Sequence, residues 1–198
     1  TLKNASDEKL LALIGSNLNA LEAMVDYNVQ NGIALYRISS DLIPFGSSVA
    51  RELDWQNIFR DRLVGIGDKI KRANMRVSMH PGQYTVLNSP DNAVARRAAE
   101  DLDYHAAVLD SLGLNSTHKM VLHLGGVYGD KQQAKQRFIQ NYNQLPDNVK
   151  QRLIIENDGS LFNIEDVLET GLAAQIPVVF DNLHNAINPV DATGTVRP

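Results

Sequence analysis

Strand and amphipathic helix alternate along this chain, and the alternation predicts an α/β fold built on a parallel sheet. Three observations carry the prediction. Five apolar segments read as strands, and a helix-period stripe separates each from the next. The strand interiors are near-continuous in Val, Ile, Leu and Met, as expected of strands covered on both faces. Four of the five strands finish on a side chain able to do chemistry: His80, His123, Glu156 and Asp181.

The elements follow in order. Ser6 caps an opening helix, Asp7 and Glu8 suit the positive end of its dipole, and Leu11, Ile14, Leu18, Leu21 and Val25 form its buried stripe. Asn31-Gly32 ends it. Residues 33–39 read as a strand, followed by a loop with Pro44 and Gly46. Trp55, Phe59, Leu63, Ile66 and Ile70 mark a second helix. Met75, Val77 and Met79 alternate with Arg76, Ser78 and His80 in strand period, and Pro81-Gly82 breaks the strand.

Ser89-Pro90 is a helix-start pair, and Val94, Ala98, Leu102, Leu109 and Leu112 supply that helix with an apolar face closed by Gly113. A strand over 118–125 precedes a helix from about Asp130, with Ala134, Phe138, Tyr142 and Leu145 inward. The strand over 152–157 precedes a short helix opened by Asn163. The strand over 177–182 is the last clear element, and the tail to Pro198 reads as irregular.

This order fits a TIM (β/α)8 barrel, with a doubly wound sheet as the competing architecture. A closed barrel takes about 250 residues. With 198 residues and a helix first, the chain reads as one domain, 1–198, holding strands 2 to 6 with their helices. About one strand is expected to be missing at the start and two at the end. The content is that of a water-soluble globular protein, 43% hydrophobic and 21% charged. No apolar run reaches the roughly 20 residues of a membrane span, and no signal pattern is visible. With no cysteine, disulfides and thiolate metal sites are excluded, and an intracellular, cytoplasmic location is favoured.

A net charge of −4 argues against a general nucleic-acid coating protein. Lys69, Lys71, Arg72 and Arg76 make one basic cluster, for which a solvated helix end is the preferred reading. The strand ends are more informative. His80, His123, Glu156 and Asp181 all sit at the end where a parallel barrel presents chemistry, and His184, three residues after Asp181, can reach the same place. Mixed imidazole and carboxylate donors suit manganese, zinc or iron rather than calcium. A metal centre of this kind serves hydrolysis of a phosphodiester. His105 lies on an apolar stripe and reads as a core histidine, while His118, at a strand start, reads as structural. Gly125-Gly126 and Gly129 are a weak phosphate-loop signal, because tight turns need glycine anyway.

Five segments carry a resemblance: YRISSDLIPFGS (36–47), SMHPGQYTVLNSP (78–90), HLGGVYGDK (123–131), IIEND (154–158) and PVVFDNLH (177–184). In these the chain resembles the UV DNA damage endonucleases, TIM-barrel repair enzymes akin to those of the endonuclease IV type. The resemblance implies cleavage of the phosphodiester 5′ to pyrimidine dimers and related lesions in damaged double-stranded DNA. It implies two or three divalent metal sites, manganese foremost, with zinc or magnesium as alternatives.

By position, His80, His123, Glu156, Asp181 and His184 match metal ligands, with Glu156, His123 and Asp181 carrying the catalysis. Gln83 and Tyr84 match a pair that probes the duplex where damaged bases leave the stack. The family carries a metal-binding histidine where this chain has Ser48, and a second histidine where it has Asn185. Its remaining ligands lie beyond the sixth strand. No obligate protein partner is implied. Two other functions suit the same residues: a metal-dependent sugar isomerase or epimerase, and a non-catalytic lesion binder.

Overall fold

The computed structural model describes residues 6–190. Five parallel strands form one sheet in the order β1-β2-β3-β4-β5: β1 (Leu35–Ile38), β2 (Arg76–Met79), β3 (Lys119–His123), β4 (Leu153–Glu156) and β5 (Val178–Val179). Helices stand between them in sequence, so the expected α/β class with a parallel sheet is what the chain adopts. Two compact units can be drawn, residues up to 80 with 103–119, and residues 81–102 with those from 120 onward.

In the first unit, α1 (Asp7–Gln30) is capped by Ser6, whose hydroxyl accepts from the Lys9 amide, and ends on Asn31 with Gly32 at φ 65°. Its buried stripe is Leu10, Ile14, Leu18, Leu21 and Val25, so Leu10 takes the place expected of Leu11. The reason is phase: Leu10 stands four residues before Ile14, on the same helix face, whereas Leu11 is rotated about 100° away. Each such fully buried aliphatic contributes about 1.5–3 kcal/mol of transfer free energy.

The helix expected to run through Trp55 and Phe59 is instead two pieces, α2 (Trp55–Ile58) and α3 (Arg60–Arg72), joined at Phe59. Trp55 is buried but Phe59 is only half-buried, and a 3-10 turn, Val49–Glu52, precedes them. Lys69 on α3 reaches Glu22 Oε1 at 2.9 Å and Asp26 Oδ1 at 2.8 Å on α1. Those carboxylates, Asp26 first, raise the Lys69 pKa. Lys71 pairs with Asp68 at 2.7 Å. Lys69 and Lys71 are thus paired where a solvated helix end was expected, while Arg72 and Arg76 are exposed. Gly67 lies against the backbone carbonyl of Leu112, where no side chain fits. His118 is buried and its Nδ1 accepts from the Val77 amide at 3.1 Å, the structural role expected of it. His105 is fully buried.

The helix expected from Ser89-Pro90 begins two residues later, as α4 (Asn92–Ser111). Asp91 Oδ1 takes the Ala93 amide at 2.7 Å, and the Ser89 hydroxyl serves the Asp91 amide instead. Ala95 is buried and Val94 only half-buried, the same one-residue phase error. Gly113, at φ 66°, closes the helix as expected, with the Leu114 amide donating back to Leu109.

In the second unit, β3 pairs β4 in the register Met120↔Leu153 to His123↔Glu156, and β4 pairs β5 through Glu156↔Val179. Helix α5 (Lys131–Asn143) packs on α7 (Ile164–Ala174), where Lys131 and Lys135 meet Asp166 at 2.7 and 3.5 Å. Asn163 opens α7 through a reciprocal capping box with Asp166.

Two short helices were not anticipated. α6 (Asp147–Arg152) starts where Pro146 fixes φ at −58°, with Asp147 in its first turn. α8 (Asn182–Ile187) occupies part of the tail expected to be irregular. Residues 191–198 of that tail lie outside the described residues. The strands are also shorter than expected, and β5 has only two residues.

Candidate active site

Register brings the first pair together. His123 and Glu156 are direct partners on β3 and β4, and in-register residues of parallel neighbours point to the same face. His123 Nε2 lies 3.2 Å from Glu156 Oε1. Glu156 is 5% exposed at the end of a strand whose four residues are all buried, so its carboxylate needs a cationic or hydrogen-bonding partner.

Asp181 and His184 join them through α8. Asp181 is the N-cap of that helix, and its Oδ1 accepts from the His184 amide at 2.8 Å. That amide is the main cause holding the Asp181 carboxyl below the ordinary value of 3.8, with the His184 and His123 rings adding to it. His184 Nδ1 lies 2.8 Å from the carbonyl oxygen of Asn157. A carbonyl only accepts, so Nδ1 carries a proton and Nε2 is the ring nitrogen left to face a ligand. The His123 and His184 rings are 5.4 Å apart between centroids.

His80 stands one residue beyond β2, and its carbonyl accepts from the Ser40 hydroxyl. His80, His123 and Glu156 form a group able to hold a metal ion, each offering one donor atom and the three atoms lying within 4.8 Å of one another. The donor set, two imidazoles and a carboxylate, fits a first-row divalent ion. Asp181 and His184 are not members of that tight group. His80 and Asp181 sit just past their strands rather than on the last strand residue, because both strands end early.

Gln83 and Tyr84 are exposed on the loop after β2, with Tyr84 65% accessible. Thr85 anchors that loop: its amide returns to the Gly82 carbonyl and its hydroxyl donates to the buried Asp101 carboxylate at 2.6 Å. The Tyr84 ring covers Gly82, where an added Cβ would meet the ring at 2.5 Å. A cleft of about 360 Å³ is lined by Gly82, Gln83, His123, Gly126, Tyr128 and Asp158, among others. Ser48 is exposed, with its hydroxyl on the Phe45 carbonyl, and Asn185 is buried.

Three residues near the site escaped the sequence reading. Asn157, fully buried, clasps Asp181 from both sides: its Nδ2 donates to the Asp181 carbonyl at 2.9 Å and its Oδ1 accepts the Asp181 amide at 2.8 Å. Asn88, also fully buried, does the same to Gly126, at 2.8 and 3.2 Å. Tyr128 is half exposed at φ 54°, in the left-handed region that disfavours a side chain. An asparagine directly after a strand-end glutamate was the available signal for the first, and nothing local marked the other two.

The profile of a family described as UV-endonuclease UvdE matches residues 2–197. A UV DNA damage endonuclease of Clostridium perfringens (strain 13 / Type A) is 46% identical over 184 residues, 93% of this chain and 45% of the relative. The crystal structure of SacUVDE superposes with a TM-score of 0.91 at 40% identity, over 94% of this chain and 64% of that one. A D-psicose 3-epimerase structure superposes with a TM-score of 0.59 at 14% identity, over 86% of this chain and 61% of the other, which is a likeness of fold alone. The chain thus spans about half the length of the curated relative and under two thirds of either solved chain.

Proposed function

Because this chain belongs to the UV-endonuclease UvdE family, we propose that it is the strand-end part of a metal-dependent endonuclease that cuts DNA 5′ to UV photoproducts. The observation that carries this reading is the group of His80, His123 and Glu156, with Asp181 and His184 on the adjoining helix. In this reading the five residues would hold two or three divalent ions, manganese foremost and zinc or magnesium in reserve. Ions bound there supply the Lewis acidity that phosphodiester hydrolysis at neutral pH requires.

The chain's own residues do the rest. Glu156, His123 and Asp181 face the scissile phosphate as the catalytic groups. His184 keeps Nε2 available because Asn157 holds its other nitrogen. Tyr84 and Gln83 enter the duplex at a damaged step, where an aromatic ring replaces stacking already lost and opening costs less than in intact DNA. The substrate is damaged double-stranded DNA, and the place of action is wherever the cell keeps it. No helix among the described residues is long and apolar enough to cross a membrane.

The test is nicking of irradiated against unirradiated plasmid by metal-stripped protein given manganese, zinc or magnesium. Irradiation-dependent nicks that require added ion support the reading, and His123→Ala then loses bound metal and nicking together. Bound metal with no effect on DNA but turnover of a ketose would transfer the site to the epimerase reading. Retention of damaged DNA with neither metal nor nicks would make the protein a lesion binder.

A further inference from the structure

The loops after β2 and β3 repeat one local device. Each carries Gly-x-Tyr, Gly82-Gln83-Tyr84 and Gly126-Val127-Tyr128, and in each the tyrosine ring lies over the glycine two residues earlier. At Gly126 an added Cβ would meet Cε2 and Cζ of Tyr128 at 2.8 Å. The first loop already has a role in the proposed function. The second has none, yet the chain holds it by contacts of its own. Asn88 clasps Gly126 by both amide groups, and Tyr128 is kept at positive φ, a conformation disfavoured for a side chain. Strain of this kind persists only where the surroundings over-determine it, and here it sets a half-exposed aromatic on the rim of the cleft that His123 and Gln83 also line.

Arg137 supplies the charge. Its guanidinium lies 5.7 Å from the Tyr128 ring centroid, and its Nε donates to the Asn88 carbonyl at 3.0 Å. Among the described residues its buried Nη2 has no hydrogen-bond partner. A half-buried guanidinium of this kind behind the rim calls for an anion in front of it. Gly126 packs against the Cε2–Cζ edge of the Tyr128 ring and Arg137 lies over the ring, so the ring is no open stacking platform. The hydroxyl is the group left to act.

We infer that Tyr128 binds the sugar–phosphate backbone of the DNA, its hydroxyl donating to a phosphate oxygen while the Arg137 charge draws that phosphate to the cleft. The assignment rests on the endonuclease reading, and it gives Tyr128 a task opposite to that of Tyr84. A backbone contact carries no information about damage. Tyr128→Phe keeps the ring and the backbone and removes only the hydroxyl.

The experiment measures binding of a photoproduct-containing duplex and its undamaged twin, by fluorescence anisotropy over a range of salt, together with nicking kinetics and the melting temperature. Tyr128→Phe is expected to weaken both duplexes about tenfold, as for loss of one hydrogen bond to a charged group. The damaged-to-undamaged ratio and the melting temperature stay as they were. Arg137→Gln is expected to lower the slope of log affinity against log salt by about one. Gly126→Ala, which displaces the ring, is expected to act like Tyr128→Phe.

Binding by Tyr128→Phe within twofold of the unmutated protein would overturn the assignment and leave the endonuclease reading intact. So would a loss confined to the damaged duplex, which would make Tyr128 a lesion reader. Failure of the unmutated protein to bind either duplex would overturn both.

Discussion

Replacing Asn157 by alanine tests whether a single side chain holds the outer edge of the site. The clasp consists of two hydrogen bonds to the main chain of Asp181, at 2.9 and 2.8 Å. Each is worth about 1 kcal/mol net. Asp181 is partly accessible, so water can take over its freed amide and carbonyl and the full desolvation penalty does not apply. Asn157 itself is fully buried, and removal of its amide group leaves a small void that adds up to about 1 kcal/mol. The sum is roughly 2–3 kcal/mol, and for a chain of this size that lowers the melting temperature by roughly 4–12 °C.

Circular dichroism melts and urea titrations of metal-stripped protein read the loss. Metal content then reads its consequence, because Asp181 and His184 both depend on the clasp for position. Asn157→Asp separates the terms: it keeps the acceptor for the Asp181 amide, removes the donor and buries a charge, so it should be at least as destabilised. A loss below about 0.5 kcal/mol in Asn157→Ala would refute the reasoning, since surface-like behaviour is what a redundant contact gives.

Other outcomes follow from single contacts. Gly171→Ala should destabilise by about 1–3 kcal/mol in urea, because the new Cβ would meet Val178 Cγ2 at 2.6 Å and the Ile176 carbonyl at 2.8 Å. The Asp181 carboxyl is held below 3.8, so the capping energy it gives α8 is fully present above that pH and is lost as pH falls through the lowered value. In chelator, acid titration from pH 5 to 2 should therefore destabilise the unmutated protein more than Asp181→Asn, whose amide oxygen caps without titrating. Tyr84→Ala should leave metal content and stability unchanged while bringing the affinities for damaged and undamaged duplex together. Unchanged discrimination in that variant would remove the wedge from the proposed function.

What was legible in the sequence was local or periodic. Ser6 and Asn163 announced their helices because a cap and the amide it serves are three residues apart. The strand-end residues were legible because strand period and Pro-Gly breakers mark where a strand stops. Leu10 and Ala95 were missed by one residue, in favour of Leu11 and Val94, since two adjacent apolar positions leave the helix phase undetermined. Asp181 was read as a candidate ligand and catalytic group, which hid its further role as the cap of α8. The clasps were invisible for a different reason. Asn88 and Gly126 are 38 residues apart and Asn157 and Asp181 are 24 apart, and no periodicity connects an amide to a main chain at that range.

Those two asparagines have an evolutionary consequence. Just past β4 the Asn157 carboxamide presents one donor and one acceptor, like a peptide group, and prolongs the pairing for one more residue, and Asn88 grips the main chain of the loop after β3 in the same way. The loops above are then tied to the scaffold by replaceable parts rather than by the ladder itself. A lineage can retune how firmly each loop is held by exchanging one buried amide, without touching strand register or the hydrophobic interior.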